Sequence, residues 1–208
     1  MRAMRMVLAL GAPVILGSCA AMSKNECVTA DWRTVGYEDG SAGYGGERIA
    51  QYRKACADHG VRLDLDAYQA GRALGLREYC QPQNAYRVGS YGGSYGGVCP
   101  AELAPAFVAA YESGRELYTR ELRVSNARSQ IAAKRRQLED LEDAMAQKAL
   151  LVIGSETTAE QRTQALLDTK QLAERRGRIS AEIAQLEKDK IRYEQDLEKY
   201  RGTLAYVP

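Results

Sequence analysis

Five cysteines, one histidine and two aspartates eight positions apart are the side chains of this 208-residue chain whose types could support chemistry. Cys27, Cys56, Cys80 and Cys99 form an even set, which in an oxidising compartment reads as disulfides. Four cysteines allow three connectivities; Cys27–Cys56 and Cys80–Cys99 are favoured, because each joins sequence neighbours across one hairpin. A zinc site would need closely spaced ligands, and the chain has no Cys-x-x-Cys pair and only His59 as an imidazole. A catalytic thiol would need a base, and His59 again is the sole imidazole candidate. His59 sits in Asp58-His59-Gly60, which reads as a helix end with a glycine stop. Asp31 and Asp39 flank a glycine-rich turn or helix, with no base or metal ligand placed to work with them. Capping and local hydrogen bonding account for both. The expectation is therefore no catalytic residue, no metal and no cofactor.

Cys19 stands apart from the other four. Met1 to Arg5 is a short basic segment, Met6 to Leu16 is apolar, and the stretch closes with Leu16-Gly17-Ser18-Cys19. Eleven apolar residues are too few to span a bilayer, which needs about 20, and they suit a secretory signal. The closing tetrapeptide resembles a bacterial lipobox, in which cleavage exposes a cysteine that becomes acylated. Several acyl chains on Cys19 would hold the protein to a membrane firmly. Ala20 after the cysteine, by resemblance to other lipoproteins, points to the outer membrane of a Gram-negative cell, facing the periplasm. Removing Arg2 and Arg5 with residues 1–18 leaves 27 basic residues against 27 acidic ones. A neutral chain lacks the basic stripe that nucleic acid requires.

Stepping outward from the cysteines, three segments share one spacing. They are Gly36-x3-Gly40-x3-Tyr44, Gly71-x3-Gly75-x3-Tyr79 and Gly114-x3-Tyr118. A spacing of four places residues on one helix face. Glycine there costs about 1 kcal/mol against alanine, so close approach of another backbone or ring must compensate. The spacing predicts three packing helices with the Gly71 helix central. Asp66-Ala67-Tyr68-Gln69 fits a capping box for that helix, and Glu47 to Asp58 reads as another helix ended by Gly60. Gln81 to Asn84 reads as a turn and Tyr86 to Cys99 as an irregular, tyrosine-packed loop. That loop has the glycines of a phosphate cradle but neither the lysine nor the helix that one needs. Trp32, Tyr86, Tyr91 and Tyr95 are the residues expected to form a ligand surface, if cell-wall glycan or a small ligand binds here.

The ordered set Asp31-Trp32, Gly36-Tyr37-x-Asp39-Gly40, Cys56-x3-Gly60, Tyr68-x2-Gly71-Arg72-x2-Gly75-Leu76-x2-Tyr79-Cys80 and Tyr95-x-Gly97-Val98-Cys99-Pro100 resembles the domain of unknown function 2799 of proteobacterial envelope lipoproteins. The resemblance covers about residues 19–120. It implies localisation and domain identity and brings no activity.

From Glu102 glycine almost vanishes. Leu103, Ala110, Leu117, Val124, Ile131, Leu138, Met145 and Val152 repeat every seven residues, beside a weaker seam of Ala106, Ala127 and Leu141 interrupted by Lys134 and Lys148. This is a coiled-coil signal. Ile153 to Glu156 breaks it and Thr157-Thr158-Ala159-Glu160 reads as a second capping box. Ala165, Leu172, Ile179, Leu186, Tyr193 and Tyr200 then repeat by seven. The expected fold is all-α: a signal peptide at 1–18, a small disulfide-braced helical domain at 19–101, a long antiparallel coiled-coil hairpin at 102–203 and a tail at 204–208. Each arm of about 45 residues would be roughly 65–70 Å long. The function expected is that of a non-enzymatic envelope lipoprotein. Its arm would engage an envelope protein or a second copy of the chain.

Overall fold

A computed structural model describes residues 22–204, and among them every regular element is helical. The elements are α1 (Lys24–Thr29), α2 (Trp32–Ser41), α3 (Arg48–Ala57), α4 (Leu65–Tyr79), α5 (Pro82–Ser90), α6 (Ala104–Ile153) and α7 (Ala159–Leu204). The chain forms two compact units. One takes in the described residues up to Gln81 together with Gly96–Ala104; the other takes in Pro82–Tyr95 and the described residues from Pro105 onward.

In the first unit, α1, α2 and α4 start where side chains satisfy free backbone N–H groups, whereas α3 has no side-chain cap. Ser23 and Glu26 form a reciprocal box at α1, and Asp31 receives the Arg33 N–H and the Thr34 hydroxyl at α2. At α4 the cap is Asp64, which accepts from the Ala67 N–H at 2.9 Å, and the helix begins at Leu65 rather than after Asp66. An aspartate at either position could cap; Asp64 has the extended backbone that a cap requires. The core gathers Cys27, Trp32, Cys56 and Tyr68, with Met22, Val35, Ile49, Tyr52, Val61 and Leu63 around them. Cys27 bridges to Cys56 and Cys80 to Cys99, the pairing of sequence neighbours. Each such bridge stabilises by about 2–4 kcal/mol.

The α2 and α4 helices cross at the glycines. A Cβ on Gly36 would strike the Tyr68 carbonyl, one on Gly40 the Arg72 carbonyl, and one on Gly75 the Tyr37 carbonyl. Just beyond the end of α2, Gly43 turns with φ +74° beneath the Tyr79 ring, a conformation that favours glycine.

The second unit repeats this crossing with α5 and α6. A Cβ on Gly89 would strike the Tyr111 carbonyl and one on Gly114 the Tyr86 carbonyl. Gly92 turns with φ +76° beneath the Tyr118 ring. Gly89, Gly92, Gly114 and Tyr118 thus stand as Gly40, Gly43, Gly75 and Tyr79 do. The bonds repeat as well. Arg72 Nη2 donates to the Tyr44 carbonyl at 2.9 Å, and the Tyr111 hydroxyl at the matching position donates to the Gly93 carbonyl at 3.0 Å. The three expected packing helices are therefore two separate pairs. The expected loop is also corrected: Pro82–Ser90 is helical. Proline in the first turn costs no hydrogen bond, and the smooth face at Ala85 and Gly89 is buried.

Beyond the crossing, α6 and α7 run antiparallel as 50 and 46 residues, roughly 75 and 69 Å at 1.5 Å per residue. Val124, Ala127, Ile131 and Leu141 of α6 and Ala165, Ile179 and Leu197 of α7 are buried along the hairpin. The lysines that interrupt the seam are paired across it, Lys134 with Glu182 and Lys148 with Asp168, both at 2.6 Å. Arg128–Glu194, Arg135–Glu187 and Arg176–Glu142 add further rungs. The α7 box lies one residue later than the spacing suggests: Thr158 and Gln161 exchange side-chain and backbone bonds at 2.9 and 3.2 Å.

Candidate functional site

Asp39 is the charged residue that the first unit buries, at 4% exposure. Its position on α2 brings it over α4, where Tyr68 donates its hydroxyl to Asp39 Oδ2 at 2.8 Å. Helix α3 supplies the other two partners: the Tyr52 hydroxyl reaches Oδ1 at 3.2 Å and Arg48 Nε reaches it at 2.9 Å. Arg48 Nε also donates to the Tyr52 oxygen, and its guanidinium lies 3.9 Å over the Tyr44 ring. Burial, then the Asp39 carboxylate, pushes the Tyr68 phenol far above its ordinary range; burial likewise raises Tyr52. Both hydroxyls are thus held protonated, as donors to the carboxylate. A general base must reach a substrate proton, whereas both Asp39 oxygens already receive donors from the two neighbouring helices. The arrangement brackets three helices together.

The residues singled out as a ligand surface lie in different surroundings. Trp32 is only 7% exposed and packs in the core, its ring 6.1 Å from that of Tyr52. Its indole face is therefore not available for stacking on a sugar, which corrects that expectation. In the second unit the Tyr95 ring lies tilted against Phe107 with centroids 4.6 Å apart and neighbours Tyr111 at 5.9 Å. Tyr86 is half-buried on α5, and Tyr91 is 82% exposed. Asp31 caps α2, and His59 lies exposed just beyond α3, before Gly60 with φ +72°. Cys27, Cys56, Cys80 and Cys99 are all bridged. Among the described residues no group of three or more His, Cys, Asp or Glu is placed to hold a metal ion. Cys19 and the signal segment lie outside the described residues.

Exposed leucines and an isoleucine stand at the helix ends that meet at the turn of the hairpin. Leu150, Leu151 and Ile153 of α6 and Leu166 and Leu167 of α7 are exposed, Leu150 at 65% and Ile153 at 78%. Lys148–Asp168 closes the seam beside them, and Arg162 donates to the Gly154 carbonyl at 2.9 Å, tying the turn down. The signal was available: Leu150, Leu151 and Ile153 fall off the seven-residue repeat that Met145 and Val152 continue.

Residues 31–116 match the family described as protein of unknown function (DUF2799). The match opens at the α2 cap and closes two residues after Gly114, so it encloses both glycine crossings and stops where the hairpin begins. No curated protein and no solved structure matches the chain. Among the described residues no helix is long and apolar enough to cross a membrane.

Proposed function

We propose, for a chain that carries the domain of unknown function 2799 over residues 31–116, a non-enzymatic role as an outer-membrane lipoprotein that docks on another envelope protein through the end of its hairpin. The observation that carries this reading is the apolar turn, with Leu150, Leu151, Ile153, Leu166 and Leu167 each exposed on the helix ends that meet there. Contiguous exposed apolar residues mark interaction surfaces. The turn carries no basic cluster, since Glu156 and Glu160 stand beside Arg162 and Lys148 is paired with Asp168, whereas an anionic lipid surface attracts clustered basic residues. The balanced charge of the chain supports the same choice. Anchoring rests on the lipobox form of Leu16 to Cys19.

The seam residues Ile131 and Ile179 are poor places to test docking, because they are buried within the hairpin itself. Photo-crosslinkers placed at Leu150 and Ile153 in intact cells avoid that difficulty, with Arg136 on the exposed shaft as comparison. The expected result is one discrete adduct from the turn and none from Arg136, lost when Leu166 and Leu167 become serine. An adduct of twice the chain mass would replace the heterologous partner with a second copy. Equal labelling from turn and shaft, or none, would overturn the reading. In the same cells Cys19→Ala should move the protein out of the membrane fraction.

A further inference from the structure

The first unit contains a segment that its glycine crossing does not need. Between α2 and α4 the chain inserts α3 and the strap at residues 58–64, whereas α5 and α6 make their crossing with a shorter link and no helix in it. The insertion forms a groove of about 290 Å³, at the lower edge of the ~300–1,000 Å³ usual for small-molecule sites. Ile49 and Ala57 from α3 and Val61 and Leu63 from the strap make its apolar walls. Arg53 and Arg62 also line it. Both are exposed, and neither forms an ion pair with a carboxylate of the described chain. An apolar slot lined by two guanidinium groups that form no ion pair among the described residues complements an apolar chain that carries one anionic group.

We propose that this groove binds a medium-chain fatty carboxylate, its acyl chain along Ile49, Ala57, Val61 and Leu63 and its carboxylate between Arg53 and Arg62. Guanidinium suits this role because its planar fork matches a carboxylate. The site is separate from the Asp39 cluster, whose Arg48 is already engaged.

Trp32 is the sole tryptophan, and Ile49, Val61 and Leu63 pack on the core that contains it. Its emission therefore reports on the groove. The test is a titration of the full chain carrying Cys19→Ser, in detergent-free buffer, with decanoate and with decanol. Saturable change with decanoate below its micellar concentration is expected, with decanol roughly tenfold weaker, as loss of a charge-assisted contact implies. Arg53→Gln with Arg62→Gln should bring decanoate down to the decanol level, and Ala57→Phe should weaken both ligands by filling the slot. Circular dichroism and intact disulfides confirm that these exposed-site variants fold. Equal affinity for acid and alcohol, unchanged binding by the double arginine variant, or a response only at micellar concentration would overturn the proposal. So would anionic vesicles shifting the emission when monomeric decanoate does not, since that assigns the groove to a lipid surface.

Discussion

The first unit closes its helix crossing over a carboxylate, and the second closes the same crossing over a phenyl ring. Where α2 carries Asp39 and α4 carries Tyr68, α5 carries Val88 and α6 carries Phe107. Both aromatic residues are fully buried. The two changes go together: a buried phenol needs an acceptor, and a buried carboxylate needs donors. Removing both leaves an apolar pair of similar shape. The inserted α3 explains why the first unit keeps the polar version, since Arg48 and Tyr52 complete the ring of donors around Asp39. The backbone solution, glycine on glycine with a tyrosine capping the turn, is indifferent to which filling is used.

The largest effect expected is on that shared backbone contact. Gly75→Val and Gly114→Val each drive a side chain into a facing carbonyl, and each should cost on the order of 3 kcal/mol or more. Chemical denaturation followed by circular dichroism measures it. Gly177 on α7 has open space around its missing side chain, so Gly177→Ala should instead stabilise by about 1 kcal/mol. If one crossing variant were as benign as Gly177→Ala while the other was not, the equivalence of the two crossings would fail.

A smaller effect tests the exchange of fillings. Asp39→Val alone leaves the Tyr68 and Tyr52 hydroxyls and Arg48 without their acceptor and should cost about 3 kcal/mol. Adding Tyr68→Phe copies the second unit's pair and should recover about 1 kcal/mol of that loss. A strictly additive cycle would show that the hydroxyl and carboxylate are not coupled.

The smallest effect is alkaline. The Tyr68 and Tyr52 phenols titrate higher in the folded chain than unfolded. The unfolded chain therefore sheds these protons first, so the stabilisation is complete below about pH 10 and drains as pH rises past it. Burial raises Tyr200 in the second unit in the same direction. Tyr68→Phe should flatten the stability profile above pH 10, and Phe107→Tyr, which adds a phenol at a fully buried position, should steepen it.

The parts of the fold governed by near neighbours were legible in the sequence. The seven-residue repeats located α6 and α7, and cysteines close in sequence paired. The glycine spacing revealed that a backbone comes close, but a smooth face does not say what lies on it. Three similar segments thus suggest three helices packing around the Gly71 helix, while the true partner of Gly114 is Gly89. That glycine sits in a stretch whose composition reads as loop, where tertiary packing overrides poor helix propensity. Trp32 shows the same limit for function. An aromatic beside a glycine-rich loop looks like a binding surface until the core that covers it is known. Asp39 finds its partners 13 and 29 residues away, beyond any local pattern.

Helix α6 is unbroken from the Gly114 crossing to Ile153, roughly 40 residues and about 60 Å. A crossing that admits no methyl group also admits little rolling of the helix about its own axis. The rotational phase of α6 is therefore set at its foot and carried, like the keyway of a shaft, to the far end. Which compass direction Leu150 and Ile153 face is decided by Gly89 and Gly114.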